Sequence, residues 1–370
     1  MKGMVGLMNK YKSLLKCIVF CLGIVLIVAA FDYGFGQVGY VRYIIHEVDN
    51  PKENYDTIVL GASHARSAID PQKFDDKLGT NSLSMAIPGE IIKDSYYLLK
   101  ESARNNNIKK VILDIDYQYW FEPQREGYSN ESFIYSQLSW TSPVKWQYLF
   151  DNMDNLDVRY AFTKRLSYLC SPTGLTTNIR HKNSQDYKDN NIYNLDVADA
   201  NGPYVGKGFF SRVTNGELPG GLDYVNTWSD VAFDDISGLI TDEFDKIYNY
   251  CKDNNIELIC VTSPITPSAM KILNMDVVDN KMQELFNKYD VTYYNFNKAR
   301  LDVLPRFDVD FGDYEGHMGG ELGEKYSEVL AQVLYDHEHG TVDMSKYFYS
   351  SFDEMYNAFG DNMTGLTNDK

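Results

Sequence analysis

Residues Asp56–Pro71 read DTIVLGASHARSAIDP. The first part, Thr57-Ile58-Val59-Leu60, is a short apolar run of the kind a parallel strand buried on both faces requires. The run stops at Gly61-Ala62, where two small residues let the backbone turn sharply, and Ser63 follows at once. Two readings stand at this point. Ser63 is a nucleophile lifted out of a strand end with its own N–H free near the Oγ, or it is only the small polar residue where a strand stops.

Outward from this stretch, strand and helix patterns alternate. SLSMAI (Ser82–Ile87) is a second, weaker strand. EIIKDSYYLLKESARNN (Glu90–Asn106) carries Ile91, Tyr96, Leu98 and Leu99 at helical spacing. KKVILDIDYQYW (Lys109–Trp120) predicts a third strand. Two helix-then-strand steps follow: Asp242–Asn255 into IELICVTSP (Ile256–Pro264), and Asn280–Asp290 into VTYYNFN (Val291–Asn297). Gly320–His337 predicts a terminal helix. The alternation implies an α/β fold, with about five strands in a doubly wound, flavodoxin-like parallel sheet covered on both faces. Ligands of such sheets bind beyond the carboxyl ends of the strands, which puts Ser63 and the ends of the third and fourth strands on one rim.

The alternation breaks between Trp120 and about Ile236, in a stretch rich in Tyr, Trp, Asn, Asp and Gly. It is too long for a plain crossover. We read it as an insertion of about residues 121–236, with short helices around Trp146–Tyr168 and irregular loops. It either caps the rim or decorates the domain without touching a ligand. The domain itself is expected over 55–340, after a linker at 35–54. A C-terminal extension at 341–370 contains one more amphipathic helix.

Residues 1–34 read as a cytoplasmic tail and transmembrane helix. Lys2, Lys10, Lys12 and Lys16 precede CIVFCLGIVLIVAAF, and no acidic residue comes before Asp32. From Leu14 to Phe31 only Lys16 is charged, and its stem can snorkel. That length is at the lower edge of a membrane span, about 17–25 residues. The lysines predict a cytoplasmic N-terminus and a domain exported outside the cell membrane. The rival is a cleaved signal peptide, because Val28-Ala29-Ala30 satisfies a small-residue cleavage rule.

The chain has 370 residues and a formal net charge of -17. It therefore repels nucleic acid, and a neutral or cationic substrate is easier than a polyphosphate. Its five cysteines (Cys17, Cys21, Cys170, Cys251, Cys260) show no metal spacing and no disulfide framework.

The second chemical element is FDVDFGDYEGHMGGELGEKYSEVL (Phe307–Leu330). Asp313 and His317 lie in a Gly-rich loop between the last strand and the last helix, again at a strand carboxyl end. A histidine there can reach Ser63, and a nearby carboxylate can fix its tautomer. Other polar residues have plainer readings beside the functional ones. Strand-end geometry points His64 away from Ser63, to pack or to bind substrate at the rim. Arg66 holds an anionic group of the substrate or pairs with Asp70 or another surface acid. Asp114 and Asp116 read as turn and hydrogen-bond residues rather than a metal pair. Asp336, His337, Glu338 and His339 read as a solvated helix end. No metal or organic cofactor is expected.

Together IVLGASHARSAIDP, NSLSMAIPGEIIKDSYYLLKE, KKVILDIDYQYW, NNIELICVTSPITP and DFGDYEGHMGGELGEKYS resemble the SGNH/GDSL-type hydrolases. The likeness is strongest to their membrane-anchored cell-surface branch, which includes the D-alanine transfer protein of lipoteichoic acid and acyltransferase-like proteins of polysaccharide O-acetylation. It covers about Asp56–Trp120 in blocks and Thr241–Leu334, and does not cover the insertion. It implies Ser63 as nucleophile, Asp313 and His317 as its partners, and the backbone N–H groups of Ser63 and Gly89 as oxyanion donors. The chain departs from the family at three points. Asp313 stands four residues before the histidine instead of three. The asparagine after the third strand is missing, leaving Gln118 or Tyr117 as the third donor. Gly319 replaces an asparagine two residues after the histidine. The implied function is a membrane-tethered serine esterase or O-acyltransferase acting on acyl groups of cell-envelope polysaccharide or teichoic acid, served by a multi-spanning acyltransferase. The alternative is a non-catalytic accessory protein that binds glycan or organises a membrane acylation complex.

Overall fold

The structure, a computed structural model, describes residues 2–35, 39–121, 134–151, 172–192, 202–221, 236, 238–360 and 363–365. The described strands are β1 (Thr57–Leu60), β2 (Ser82–Ser84), β3 (Lys110–Asp114), β4 (Tyr204–Gly206), β5 (Phe209–Phe210), β6 (Glu257–Thr262) and β7 (Thr292–Asn295). β4 and β5 form an antiparallel hairpin. The other five make one sheet in the order β2-β1-β3-β6-β7, with every pairing parallel.

β1 and β3 are buried along their whole length, and successive residues face opposite sides of the sheet. Ile58, Leu60, Val111, Leu113 and Cys260 belong to one apolar cluster with Leu98, Phe244 and Ile247. Val59, Ile112, Ile259 and Val261 belong to another with Phe74, Leu330 and Leu334. Both faces are therefore covered, which is why β1 and β3 read as unbroken apolar runs. Each fully buried aliphatic side chain contributes about 1.5–3 kcal/mol.

The described helices are α1 (Lys2–Phe35), α2 (Tyr40–Asp49), α3 (Ser63–Ala68), α4 (Pro71–Leu78), α5 (Ile92–Asn105), α6 (Tyr117–Phe121), α7 (Pro143–Asp151), α8 (Pro172–Lys182), α9 (Gln185–Lys188), α10 (Gly238–Asp253), α11 (Pro267–Ile272), α12 (Met275–Tyr289), α13 (Gly320–Glu338), α14 (Met344–Tyr347) and α15 (Phe352–Phe359). α13 packs on α3 and α4, and α5 packs on α2 and α10. Local chemistry sets these ends. α4 starts where the Asp70 carboxylate accepts the Gln72 N–H at 3.0 Å, with Pro71 preset at the first helical position.

Four expectations change. The segment read as a linker contains α2, whose Tyr40, Tyr43, Ile44, Ile45 and Val48 are buried in the core. Its tyrosines suit a helix face as well as a connection, and the packing of α5 on α2 decides for the helix. The third strand ends at Asp114, and YQYW turns into α6, which places Trp120 5.8 Å from the rings of both Phe244 and Phe286. Part of the insertion is the β4–β5 hairpin, and Ser84 at the outer strand β2 donates its N–H to Lys207 O at 2.8 Å. The C-terminal extension holds two short helices, α14 and α15, with Phe348 packed 5.1 Å from the Phe296 ring. α7 covers the start of the region expected around Trp146–Tyr168. The rest of that region and Cys170 lie outside the described residues.

α1 is long and apolar enough to cross a membrane over the 26 residues Lys10–Phe35, with an 18-residue stretch of mean hydropathy 2.8 that is exposed. The last carbonyls of a helix have no partner within it. Here the insertion supplies two: Asn178 Nδ2 donates to Gly34 O at 2.8 Å and Lys182 Nζ to Tyr33 O at 2.7 Å, both from α8.

Candidate active site

The turn after β1 needs a glycine. Gly61 has φ +146°, and a Cβ there would lie 2.9 Å from Ala65 Cβ and 3.1 Å from Asp114 Cβ. The turn delivers Ser63 as the first residue of α3, half-buried, at a helix start where backbone N–H groups lack intrahelical partners. The loop before α13 delivers the histidine. It is pinned by the Gly312 N–H donating to His317 O at 2.8 Å and by a bridge between Phe311 and Met318.

Ser63 Oγ–H donates to His317 Nε2 at 2.6 Å. His317 Nδ1–H donates to Asp313, 3.0 Å from Oδ1 and 2.9 Å from Oδ2. This tautomer is the one the two contacts require. Asp313 Oδ1 also accepts the backbone N–H groups of Gly316 and His317, each at 3.2 Å. The four-residue step therefore closes. The loop folds over the carboxylate, with Gly316 at φ +113° pressed against Ile265, where a Cβ would come within 2.9 Å of the Ile265 Cα. A three-residue spacing is not needed for contact.

Burial pushes the Asp313 carboxyl up. The hydrogen bond from His317, the His317 charge, Arg212 and His64 outweigh it and hold Asp313 well below the usual carboxylate range. Burial also lowers His317, and the His64 charge adds to it. The hydrogen bond and charge of Asp313 oppose, Arg212 lowers it again, and the net direction is down. Asp313 thus stays ionised while His317 is left neutral, as a proton acceptor must be.

The structure places the remaining candidates as follows. Gly89 sits at the tip of a turn beyond β2 with φ +71°. The turn is braced by Glu90, fully buried, whose Oε2 accepts the Ile87 N–H at 3.0 Å and whose Oε1 accepts from Ser95 Oγ. Burial raises the Glu90 carboxyl well above its usual range. Gln118 falls in α6, and its side chain lies outside the described residues. The Tyr117 hydroxyl is committed elsewhere, accepting from Asn297 Nδ2 at 2.8 Å and donating to Asn295 Oδ1 at 3.2 Å. Asp114 accepts from Ser263 N at 2.9 Å and Oγ at 2.8 Å, tying the end of β3 to the end of β6. In the 336–339 cluster, His337 Nδ1 meets Tyr294 OH at 2.9 Å and Glu338 pairs with Lys110.

Two expectations about the rim are corrected. His64 does not point away from Ser63's partners. Its ring lies 4.6 Å from the His317 ring, and its Nδ1 is 3.2 Å from Asp116 Oδ2. The chain is already helical at Ser63, so successive side chains are about 100° apart rather than on opposite faces. Arg66 is not a surface partner of Asp70. It is buried, its guanidinium 5.1 Å from the Phe210 ring and 5.6 Å from the Tyr40 ring. α2 and the hairpin cover it.

Sequence reasoning missed Arg212. It follows the hairpin, and its Nη2 lies 3.0 Å from Asp313 Oδ2. Its carbonyl accepts the Gly320 N–H at 2.7 Å. Glycines in the His317 loop and at the start of α13 make room for this strap: a Cβ on Gly312 would overlap Arg212, and one on Gly320 would overlap Ser211. The only signal in the sequence was that loop's richness in glycine. Gly320→Ala is expected to cost about 1–3 kcal/mol through this overlap. Denaturant melts read that cost, and a variant as stable as wild type would show that the strap does not bear on the loop.

Two cavities, of about 390 Å³ beside α2 and about 580 Å³ beside β7, are lined by neither Ser63 nor His317. No protein-family model matches the chain, and no curated protein matches it either. The constellation itself is one of a hydroxyl, a neutral imidazole and an ionised carboxylate in hydrogen-bonded series, the geometry an activated serine requires.

Proposed function

We propose that the chain is a membrane-tethered serine esterase or O-acyltransferase of the SGNH type. The observation that carries the reading is the unbroken series from Ser63 Oγ through His317 to Asp313. The strand order β2-β1-β3-β6-β7 supports it, because it matches the flavodoxin-like doubly wound pattern.

Ser63 Oγ attacks the acyl carbonyl as His317 Nε2 takes its proton. The Ser63 and Gly89 backbone N–H groups stabilise the oxyanion, each such donor being worth roughly 10²–10³ in rate. His317 returns the proton to the leaving group, and an acyl-serine remains. An acceptor then attacks it, losing its proton through His317 to Ser63. The substrate class is acyl groups on cell-envelope polysaccharide or teichoic acid. The resemblance also supports a multi-spanning acyltransferase as supplier. α1 is a retained anchor with its lysines in the cytoplasm and the domain outside. The cap that Asn178 and Lys182 place on its end supports retention.

The test is a fluorophosphonate probe on the full chain in detergent micelles. Labelling in wild type and none in Ser63→Ala is expected. Unlabelled wild type, or labelling that survives the substitution, sinks the reading.

The pH profile follows from the same groups. His317 must be neutral to act, and its proton affinity is lowered. The acid limb of kcat/KM is expected below the ordinary histidine value of about 6.5. Arg212→Gln removes a positive charge beside the pair, so the limb should move to higher pH. A limb that stays in place would show that Arg212 only packs.

A further inference from the structure

Deacylation constrains where the acceptor sits. Its attacking oxygen must lie within reach of His317 Nε2, the atom that takes its proton. Groups around that ring therefore line the acceptor's place. Asp313 and Arg212 are engaged with each other and with the Nδ1 side of His317. His64 is placed differently. Its ring stands edge-on to His317 at 4.6 Å and 73°, and both His64 and Asp116 are buried. Nδ1 of His64 is taken by Asp116 at 3.2 Å, while Nε2 has no partner among the described residues. A buried imidazole with one nitrogen anchored and the other without a partner among the described residues, set against the general base, is a group that a ligand can hydrogen-bond.

We propose that His64, held by Asp116, binds a second hydroxyl of the attacking molecule, so that the site favours a polyol acceptor over water and simple alcohols. The inference rests on the acyl-transfer reading of Ser63. The bond made is from the acceptor oxygen to the acyl carbon, and the bond broken is from that carbon to Ser63 Oγ. The acceptor's proton passes through His317 to Ser63. His64 takes no proton; with Nδ1–H donated to Asp116, Nε2 accepts from the neighbouring hydroxyl. Water has no second hydroxyl to offer, and ethanol has none either. A sugar ring and a glycerol chain both do.

The experiment uses the full chain in detergent micelles with p-nitrophenyl acetate as donor. Ethanol, glycerol and methyl glucoside are the acceptors, and the acetylated products are quantified. Wild type should favour a polyol over ethanol, with the glycerol and glucoside arms separating a chain from a ring. His64→Ala should reduce that preference about tenfold, the worth of one hydrogen bond. His64→Gln should recover part of it, and Asp116→Asn should lose part. These two variants carry the test if His64→Ala does not fold by circular dichroism. A wild type that labels with fluorophosphonate but has no polyol preference overturns the role of His64 and leaves the nucleophile standing. So does a preference that His64→Ala retains. A wild type that neither labels nor turns over removes the acyl-transfer reading, and this inference with it.

Discussion

Ser63→Ala is expected to lower kcat on an activated ester by on the order of 10³-fold or more, and His317→Ala to lower it by a similar factor. The reason lies in the 2.6 Å contact between the two. A serine hydroxyl is a weak nucleophile until a base removes its proton, and an imidazole without the hydroxyl has nothing to activate. The residues act as one unit, so the double variant should be little worse than either single one. Residual turnover would come from the backbone oxyanion donors. Both substitutions remove atoms from a half-buried rim rather than from either apolar cluster, so melting temperatures should change little. Kinetics of the two single variants and the double variant read this directly. Additive losses would mean that Ser63 and His317 do not work together.

Asp313→Asn is expected to cost on the order of 10²–10⁴ in kcat. The carboxylate presents both oxygens to His317 Nδ1 at 3.0 and 2.9 Å. It also accepts two backbone N–H groups and pairs with Arg212. An amide has one acceptor oxygen for this set of donors. If that oxygen keeps the backbone contacts, the amide NH₂ faces Nδ1, and the ring must switch tautomer. Nε2 then carries the proton and cannot accept one from Ser63. The loss should be accompanied by a change in pH dependence, because Asp313 both raises His317 and balances the Arg212 charge. A variant with wild-type kcat would show that the four-residue step makes contact without supporting catalysis.

Much of the scaffold was legible in particular residues. The apolar runs of β1 and β3 declared a sheet buried on both faces, and the helix-then-strand steps that end in β6 and β7 declared parallel pairing. Ser63 and the Asp313–His317 loop each sat at a strand carboxyl end, which made their meeting an expectation before any distance was known. α2 was not legible, because its tyrosines serve equally as helix-face or loop residues until a neighbour such as α5 is there to cover them. Arg212 was not legible either. Nothing near it in the chain marks it, and its partner lies at the far end of the sequence.

The chain order and hydropathy of this protein determined where the buried strands run, because a strand covered on both faces is an unbroken local run of apolar residues. Only the tertiary structure decided what those ends do together. The loop geometry that lets Asp313 grip His317 across four residues depends on the glycine packed against Ile265. The turn of His64 toward His317 depends on a helix starting at Ser63 rather than after it. The reach of Arg212 depends on the hairpin docking at the edge of the sheet. Each is a contact between segments distant in sequence, set by packing and direction rather than by composition.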